Sequence, residues 1–390
     1  MSNKATMPSL RSVKPARRPD IDWLRAIAVL LLVPFHAALV FGDLDSFHIT
    51  TGENYQPLDY FAGILGQCHM PLLFVISGIS TWFTLQVLSP RQYASARVKR
   101  LFVPLAFGTL VIIPPQVYLE RASQGAFEGS YLSFYPHFFE GIYPTGNFTY
   151  NHLWFILYLL VFSFLALPVF VWLKRENQHA FLKQLASICE RRGGILALAL
   201  PLVVTESLFR AAYPGLQTLI SDWANFTGYL YLFMVGFAIC CNPKFWPAIR
   251  RDGRLALVGG LAALAIGVAL SISGMLPVRG YSIEWTLFMV LKAVNCWCWI
   301  VALLSAGMRW LNFGGKLLSY IREASYPFYI LHQTVLILVG YYVMNWPMPV
   351  IVRFLIIVVA TVAFTTLLYE VTVKRINALR FLFGMRKKPA

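Results

Sequence analysis

Two residues suited to chemistry, Arg25 and His36, stand eleven positions apart in one apolar run. On a helix, eleven steps of 100° leave a residual of about 20°, so both share a face and lie about 16 Å apart along the axis. A guanidinium offers a planar, permanently charged fork of donors that suits phosphate. An imidazole titrates near neutrality and suits proton transfer. The spacing therefore predicts a phosphorylated donor held at one end and reaction at the other. The competing reading is an arginine snorkelling to headgroups and a histidine bonded to a neighbouring helix.

Other ionisable residues also fall in apolar runs, where they are costly and face a protein interior or a wet cavity. His69 lies in Gln67-Cys68-His69-Met70-Pro71. Pro71 frees a backbone carbonyl, and Ser77 and Gly78 permit close helix approach. His332 shares a helix face with Ser325, and Tyr329 sits on the neighbouring edge of a stripe rising from Arg322. Each of these histidines reads equally well as a polar packing contact. Glu206 and Arg210, at i and i+4, predict a structural ion pair. Lys292 and Asn295 are placed to line a cavity, and Arg353 is expected to snorkel outward. His152 and Trp154 open a span at the outer interface. An aromatic belt explains Trp154, and His152 is placed to touch an external substrate. His48 and His137, in outer loops, carry weak signals. No Gly-rich phosphate loop, HExxH, CxxC or GxSxG occurs. Five of the six cysteines sit in or at the end of apolar spans, so neither a metal nor a disulfide framework is expected.

The elements that must position these groups are transmembrane helices. Of 390 residues, 58% are hydrophobic and 13% charged, against about 25% charged in a soluble domain. The apolar residues come in blocks of about twenty, enough to cross a hydrocarbon core. The reading is an all-α, polytopic membrane bundle of about ten helices, with spans near 22–42, 60–88, 101–119, 153–173, 194–213, 226–242, 255–275, 285–307, 324–345 and 349–371. Residues 1–20 read as a disordered basic cytoplasmic tail without an apolar h-region or cleavage site. Residues 21–385 read as one domain. Of 33 Lys and Arg, 27 fall in the odd-side segments that share the N-terminus and two, Arg121 and Arg279, in the opposite loops. That split predicts cytoplasmic termini and accounts for the net charge of +16 without nucleic acid. The opposite loops are acidic and aromatic, and the longest, about 120–152, is long enough for a lid or an acceptor-binding loop.

The run Asp20-Ile21-Asp22-Trp23-Leu24-Arg25-Ala26 through Phe35-His36 resembles the opening helix of the membrane acyltransferase-3 family, whose signature is an arginine, ten residues and a histidine. His69-Met70-Pro71-Leu72-Leu73-Phe74 to Ser77-Gly78, Arg100-Leu101-Phe102-Val103-Pro104 and Ser325-Tyr326-Pro327-Phe328-Tyr329-Ile330-Leu331-His332 are similar to its later helices, in order. Within the family the chain most resembles the glucan biosynthesis protein C branch, succinyltransferases of periplasmic glucans. It does so through Ile112-Ile113-Pro114-Pro115-Gln116-Val117-Tyr118, Asn151-His152-Leu153-Trp154-Phe155 and Ala378-Leu379-Arg380-Phe381-Leu382-Phe383-Gly384. The resemblance spans about residues 20–385. It implies a bacterial inner-membrane O-acyltransferase that moves succinyl or acetyl from cytoplasmic acyl-CoA (succinyl-CoA or acetyl-CoA) to a hydroxyl of a periplasmic glucan or other glycan. In that reading Arg25, with Arg97, Lys99, Arg100 and Arg322, binds the CoA phosphates. His36 is general base or acyl carrier. His69 and His332 orient the thioester or stabilise the oxyanion, and His152, Trp154, Ser77 and Lys292 contact the acceptor. No metal is implied. The alternative is a carrier that exports an anionic metabolite or glycoconjugate and uses the same buried cations as anion ligands; a third reading is a purely structural membrane subunit.

Overall fold

The computed structural model describes residues 18–43, 47–175, 179–215 and 217–388. Residues 1–17 of the expected tail lie outside these, and the first helix begins at Pro19, just inside it. Among the described residues, ten long helical segments form the bundle: α1 (Pro19–Leu39), α2 (Gln56–Leu85), α3 (Pro90–Ser123), α4 (Asn151–Leu165 with Leu167–Leu173), α5 (Gly194–Phe209), α6 (Trp223–Cys241), α7 (Phe245–Ile272), α8 (Ile283–Trp310), α9 (Lys316–Val343) and α10 (Val350–Val373). Seven are long and apolar enough to cross a membrane, and α4 makes an eighth if its halves form one span. The two others among the ten expected spans miss that standard for different reasons. α5 is short. α9 has 28 residues, but Arg322, Glu323, His332 and Gln333 depress its mean hydropathy.

Proline sets the breaks that matter. Pro34 cannot donate to the Leu30 carbonyl, and α1 hinges there, at Leu31, before resuming over Leu32–Leu39. α2 breaks at Gln67–Cys68, just before Pro71, and His69 starts its second half. α3 contains two π-helical turns, Val98–Phe102 and Gly108–Ile112, around Pro104 and ahead of Pro114 and Pro115. Such turns are rare and gather at functional sites. α4 bends by 52° at Ala166, next to Pro168.

Side-chain contacts sort the connecting segments into two ends. At the basic end, Arg18 covers the Trp246 ring, Trp23 donates to the Phe313 carbonyl and Arg309 to that of Arg250, and Arg380 pairs with Glu323. At the loop end, His48 meets Glu120, Tyr143 donates to Glu120 and Tyr150 to the Gln217 carbonyl. Arg353 does not snorkel. It is 5% exposed; its Nη2 donates to both oxygens of Glu53 at 2.8 and 2.6 Å and its Nη1 to the Met344 carbonyl. A loop carboxylate reaching down to it removes the need to reach water. Between the ends, α2 and α6 cross at backbone contact. A Cβ on Gly78 would lie 2.0 Å from the Phe233 carbonyl, and one on Gly236 would lie 2.0 Å from that of Val75. This crossing fixes the face of α2 that carries Ser77, Ser80 and Thr81.

Candidate active site

Three helices bring three imidazoles together. His36 Nδ1 lies 3.3 Å from His332 Nε2. The rings of His332 and His152 lie 5.3 Å apart, edge to face. His69 stands beside them across Phe35, whose ring is 4.9 Å from His69 and 5.1 Å from His36. His69, His152 and His332 are buried at 5%, 5% and 0% exposure. His36 alone of the four is half-buried, so one nitrogen is reachable.

Carbonyl oxygens only accept, and that assigns the protons. His332 Nδ1 is 2.6 Å from the Tyr329 carbonyl and must carry a hydrogen, which leaves Nε2 as an acceptor. His36 Nδ1 therefore donates to His332 Nε2, and His36 Nε2 keeps its lone pair. His69 Nδ1 donates 2.6 Å to the Leu65 carbonyl at the α2 break, which fixes the orientation of the ring. His152 Nε2 donates 3.0 Å to the Ile330 carbonyl, and its Nδ1 faces the Gln116 amide at 3.5 Å. Tyr329 donates to the His152 carbonyl and so ties the short 151–153 turn to α9. A neutral imidazole with one nitrogen fixed by a partner and the other open is arranged as a nucleophile or a base.

Below this cluster, toward the basic end, is a second group. Arg25 donates 2.5 Å to Ser80 Oγ and pairs with Asp22 at 3.2 Å. Arg322 approaches the same carboxylate at 3.8 Å, and Arg97 donates 2.8 Å to Thr81 Oγ1. Arg25, Arg97 and Arg322 thus face one another around Asp22, Ser80 and Thr81. Lys99 and Arg100 are exposed beyond them, and the Arg100 carbonyl accepts from Tyr326.

The remaining predicted residues lie elsewhere. Ser77 turns its hydroxyl back to the Leu73 carbonyl at 2.7 Å. Trp154 is 7% exposed, not in a lipid-facing belt; it stacks 5.5 Å from Tyr229 and lies 6.2 Å from Phe74. Lys292 belongs to a third polar group with Glu206, Arg210 and Tyr229. There Arg210 forks onto Glu206 at 2.6 and 2.8 Å, the ion pair expected from the i, i+4 spacing. Sequence reasoning passed over Asp22, Ser80, Thr81 and Gln116 as site residues. Gln116 carried a usable signal, an amide directly after Pro114-Pro115 in an apolar helix.

Comparisons with known proteins identify relatives of this chain. Residues 18–370 match the family model described as "Acyltransferase domain". Curated relatives named "Glucans biosynthesis protein C" come from Salmonella paratyphi B, Salmonella schwarzengrund and Salmonella agona. Each is 23% identical to this chain over 393 residues, covering 96% of the chain and 96% of the relative. No solved structure matches.

Proposed function

This chain belongs to the Acyltransferase domain family, and from that membership we propose that it moves succinyl or acetyl from cytoplasmic acyl-CoA to a glycan hydroxyl on the opposite side of the membrane. It is a membrane acyltransferase; the donor, the acceptor and the sides are our reading. The observation that carries it is the pairing of an open His36 Nε2 with an arginine cluster on the same helix, about 16 Å away by helical rise. Donor phosphates bound at the basic end take the place of Asp22 as the anionic partner of Arg25 and Arg322. The pantetheine arm then reaches toward His36.

His36 Nε2 attacks the thioester carbonyl, the C–S bond breaks, and CoA leaves as the thiolate. The Nδ1 proton passes to His332 Nε2, so the acyl group sits on a neutral imidazole rather than on a cation. The acceptor oxygen attacks that carbon, the C–N bond breaks, and Nδ1 recovers its proton from His332. An acyl-enzyme at mid-bundle suits reactants that arrive from opposite sides. The relatives' name supports a glucan as acceptor.

The direct test is mass spectrometry of periplasmic glycans with and without the intact gene, together with transfer from labelled acyl-CoA by the purified protein. Covalent modification that depends on the gene supports the transferase. Flux of an anion with no covalent product supports a carrier and overturns it. Sidedness is checked with reporter fusions at residues 130 and 385. We expect opposite sides, with 385 cytoplasmic; both on one side overturns the proposed route. Arg25→Lys keeps the charge but loses the planar fork. We expect its KM for acyl-CoA to rise about tenfold to a hundredfold, the worth of a charge-assisted hydrogen bond, with kcat little changed. An unaltered KM makes Arg25 a headgroup anchor only.

A further inference from the structure

The mechanism above leaves the proton of the acceptor hydroxyl unassigned, and a second imidazole on the loop end is built to take it. His48 and Glu120 are 72 residues apart in sequence, yet His48 Nδ1 meets Glu120 Oε2. Both are buried, at 6% and 4% exposure. Glu120 Oε1 accepts from Tyr143 at 3.2 Å and faces Arg121 at 3.5 Å. Burial, and then Glu120 itself, pushes the Tyr143 hydroxyl up to about 12, so it stays a donor to that carboxylate at neutral pH.

The other nitrogen of His48 is assigned by its neighbour. The Asn151 amide donates to His48 Nε2 and, at 2.6 Å, to Gln116 Oε1. His48 Nε2 is therefore the acceptor, and Nδ1–H points at the carboxylate. A carboxylate fixing the tautomer of an imidazole and stabilising its protonated form is the arrangement that makes a base. The pair is also joined to the imidazole cluster. Gln116, fully buried, spans Asn151, Thr334 and His152, and the Phe47 ring lies 5.9 Å from His36 and 5.8 Å from His48.

Two features mark the space around Asn151 as a place where a polar ligand belongs. Gln333, next to His332 and 2% exposed, points its amide at Asn151 Oδ1, while its own Oε1 has no partner. A buried carbonyl of this kind calls for a donor. Asn151 itself holds a φ of +40°, a left-handed conformation that asparagine tolerates better than most residues and that recurs at functional sites.

We propose that His48, oriented by Glu120, is the base for the acceptor hydroxyl, so that two different imidazoles run acyl removal and acyl delivery. An entering hydroxyl replaces the Asn151 amide as the donor to His48 Nε2, and a second hydroxyl of the same sugar supplies the Gln333 carbonyl. The acceptor oxygen bonds to the acyl carbon as the C–N bond to His36 breaks. The hydroxyl proton goes to His48 and from there to solvent at the loop end. His36 regains its Nδ1 proton from His332, and the balance closes on ester, CoA thiolate and one proton.

This assignment rests on the acyltransferase reading, and the experiment separates the two. The purified full chain is given succinyl-CoA or acetyl-CoA with one of two acceptors, a soluble glucan oligosaccharide or hydroxylamine, whose unprotonated nitrogen attacks without help from a base. We expect Glu120→Gln and His48→Gln to lower transfer to the sugar at least about a hundredfold while transfer to hydroxylamine stays within about threefold of wild type. Parallel loss with both acceptors makes the pair structural and overturns the assignment, as does undiminished transfer to the sugar. A wild-type protein that transfers to neither acceptor overturns the acyltransferase reading, and this assignment with it.

Discussion

His36→Ala is expected to leave a folded protein that binds acyl-CoA normally and transfers nothing measurable, a fall of at least about 10³-fold. The expectation follows from where the side chain is satisfied. His36 is held toward His332 through Nδ1, which leaves Nε2 for chemistry. Its removal leaves His332 Nε2 without a donor, at a cost of about 1–3 kcal/mol for a buried polar group. That cost is real, so activity has to be read beside stability. Three measurements on one preparation settle the matter: thermal stability, donor binding and product formation. Intact binding with collapsed turnover supports the role given to His36. Wild-type turnover removes it from the mechanism, and joint loss of stability and turnover assigns the residue to packing. Transfer to hydroxylamine must fall as well, because the acyl group never leaves CoA.

The first helix was legible because periodicity alone fixes its geometry. Arg25 and His36 share a face for any helix of that length, and the Pro34 hinge does not prevent His36 from reaching its partner. The stripe on α9 was legible for the same reason. What periodicity cannot supply is the meeting of segments far apart in the chain. His152 reads as an outer-surface contact, since it opens an apolar run, but the 151–153 turn dips inward and places it against His332 and Ile330. Arg353 and Glu53 lie 300 residues apart, so the carboxylate that removes the need to snorkel is invisible from either position. His48 carries a weak signal because its partners, Glu120 near the end of α3 and Asn151 at the start of α4, are far from it in the chain. Hydropathy misleads in the same region. The residues that make α9 useful for chemistry are the ones that make it a poor span by composition, and a bend at Ala166 divides α4 into two pieces, each too short to span.

His332 provides the sharper test of the proton path. With alanine, His36 loses the acceptor that fixes its tautomer, and the loss is expected to approach the 10⁴-fold or so seen when a triad's orienting carboxylate is replaced. Glutamine separates the two things His332 does. Its carbonyl oxygen is able to accept from His36 Nδ1 and so preserve the tautomer, but an amide takes up no proton. If His332 receives the proton as the acyl group arrives, His332→Gln keeps donor affinity and thermal stability and still loses about 10²- to 10³-fold in kcat, because the acyl group is then left on a cationic imidazole that CoA thiolate readily attacks in reverse. The signature is internal to the reaction: exchange of labelled CoA into acyl-CoA persists while net transfer to the acceptor stalls. A His332→Gln protein with wild-type kcat reduces His332 to an orienting group and leaves His36 to manage its proton alone. His332→Phe, which fills the space and accepts nothing, controls for packing. It should match the alanine variant in rate while recovering stability, since the site is fully buried and the ring of Phe328 already stacks on it.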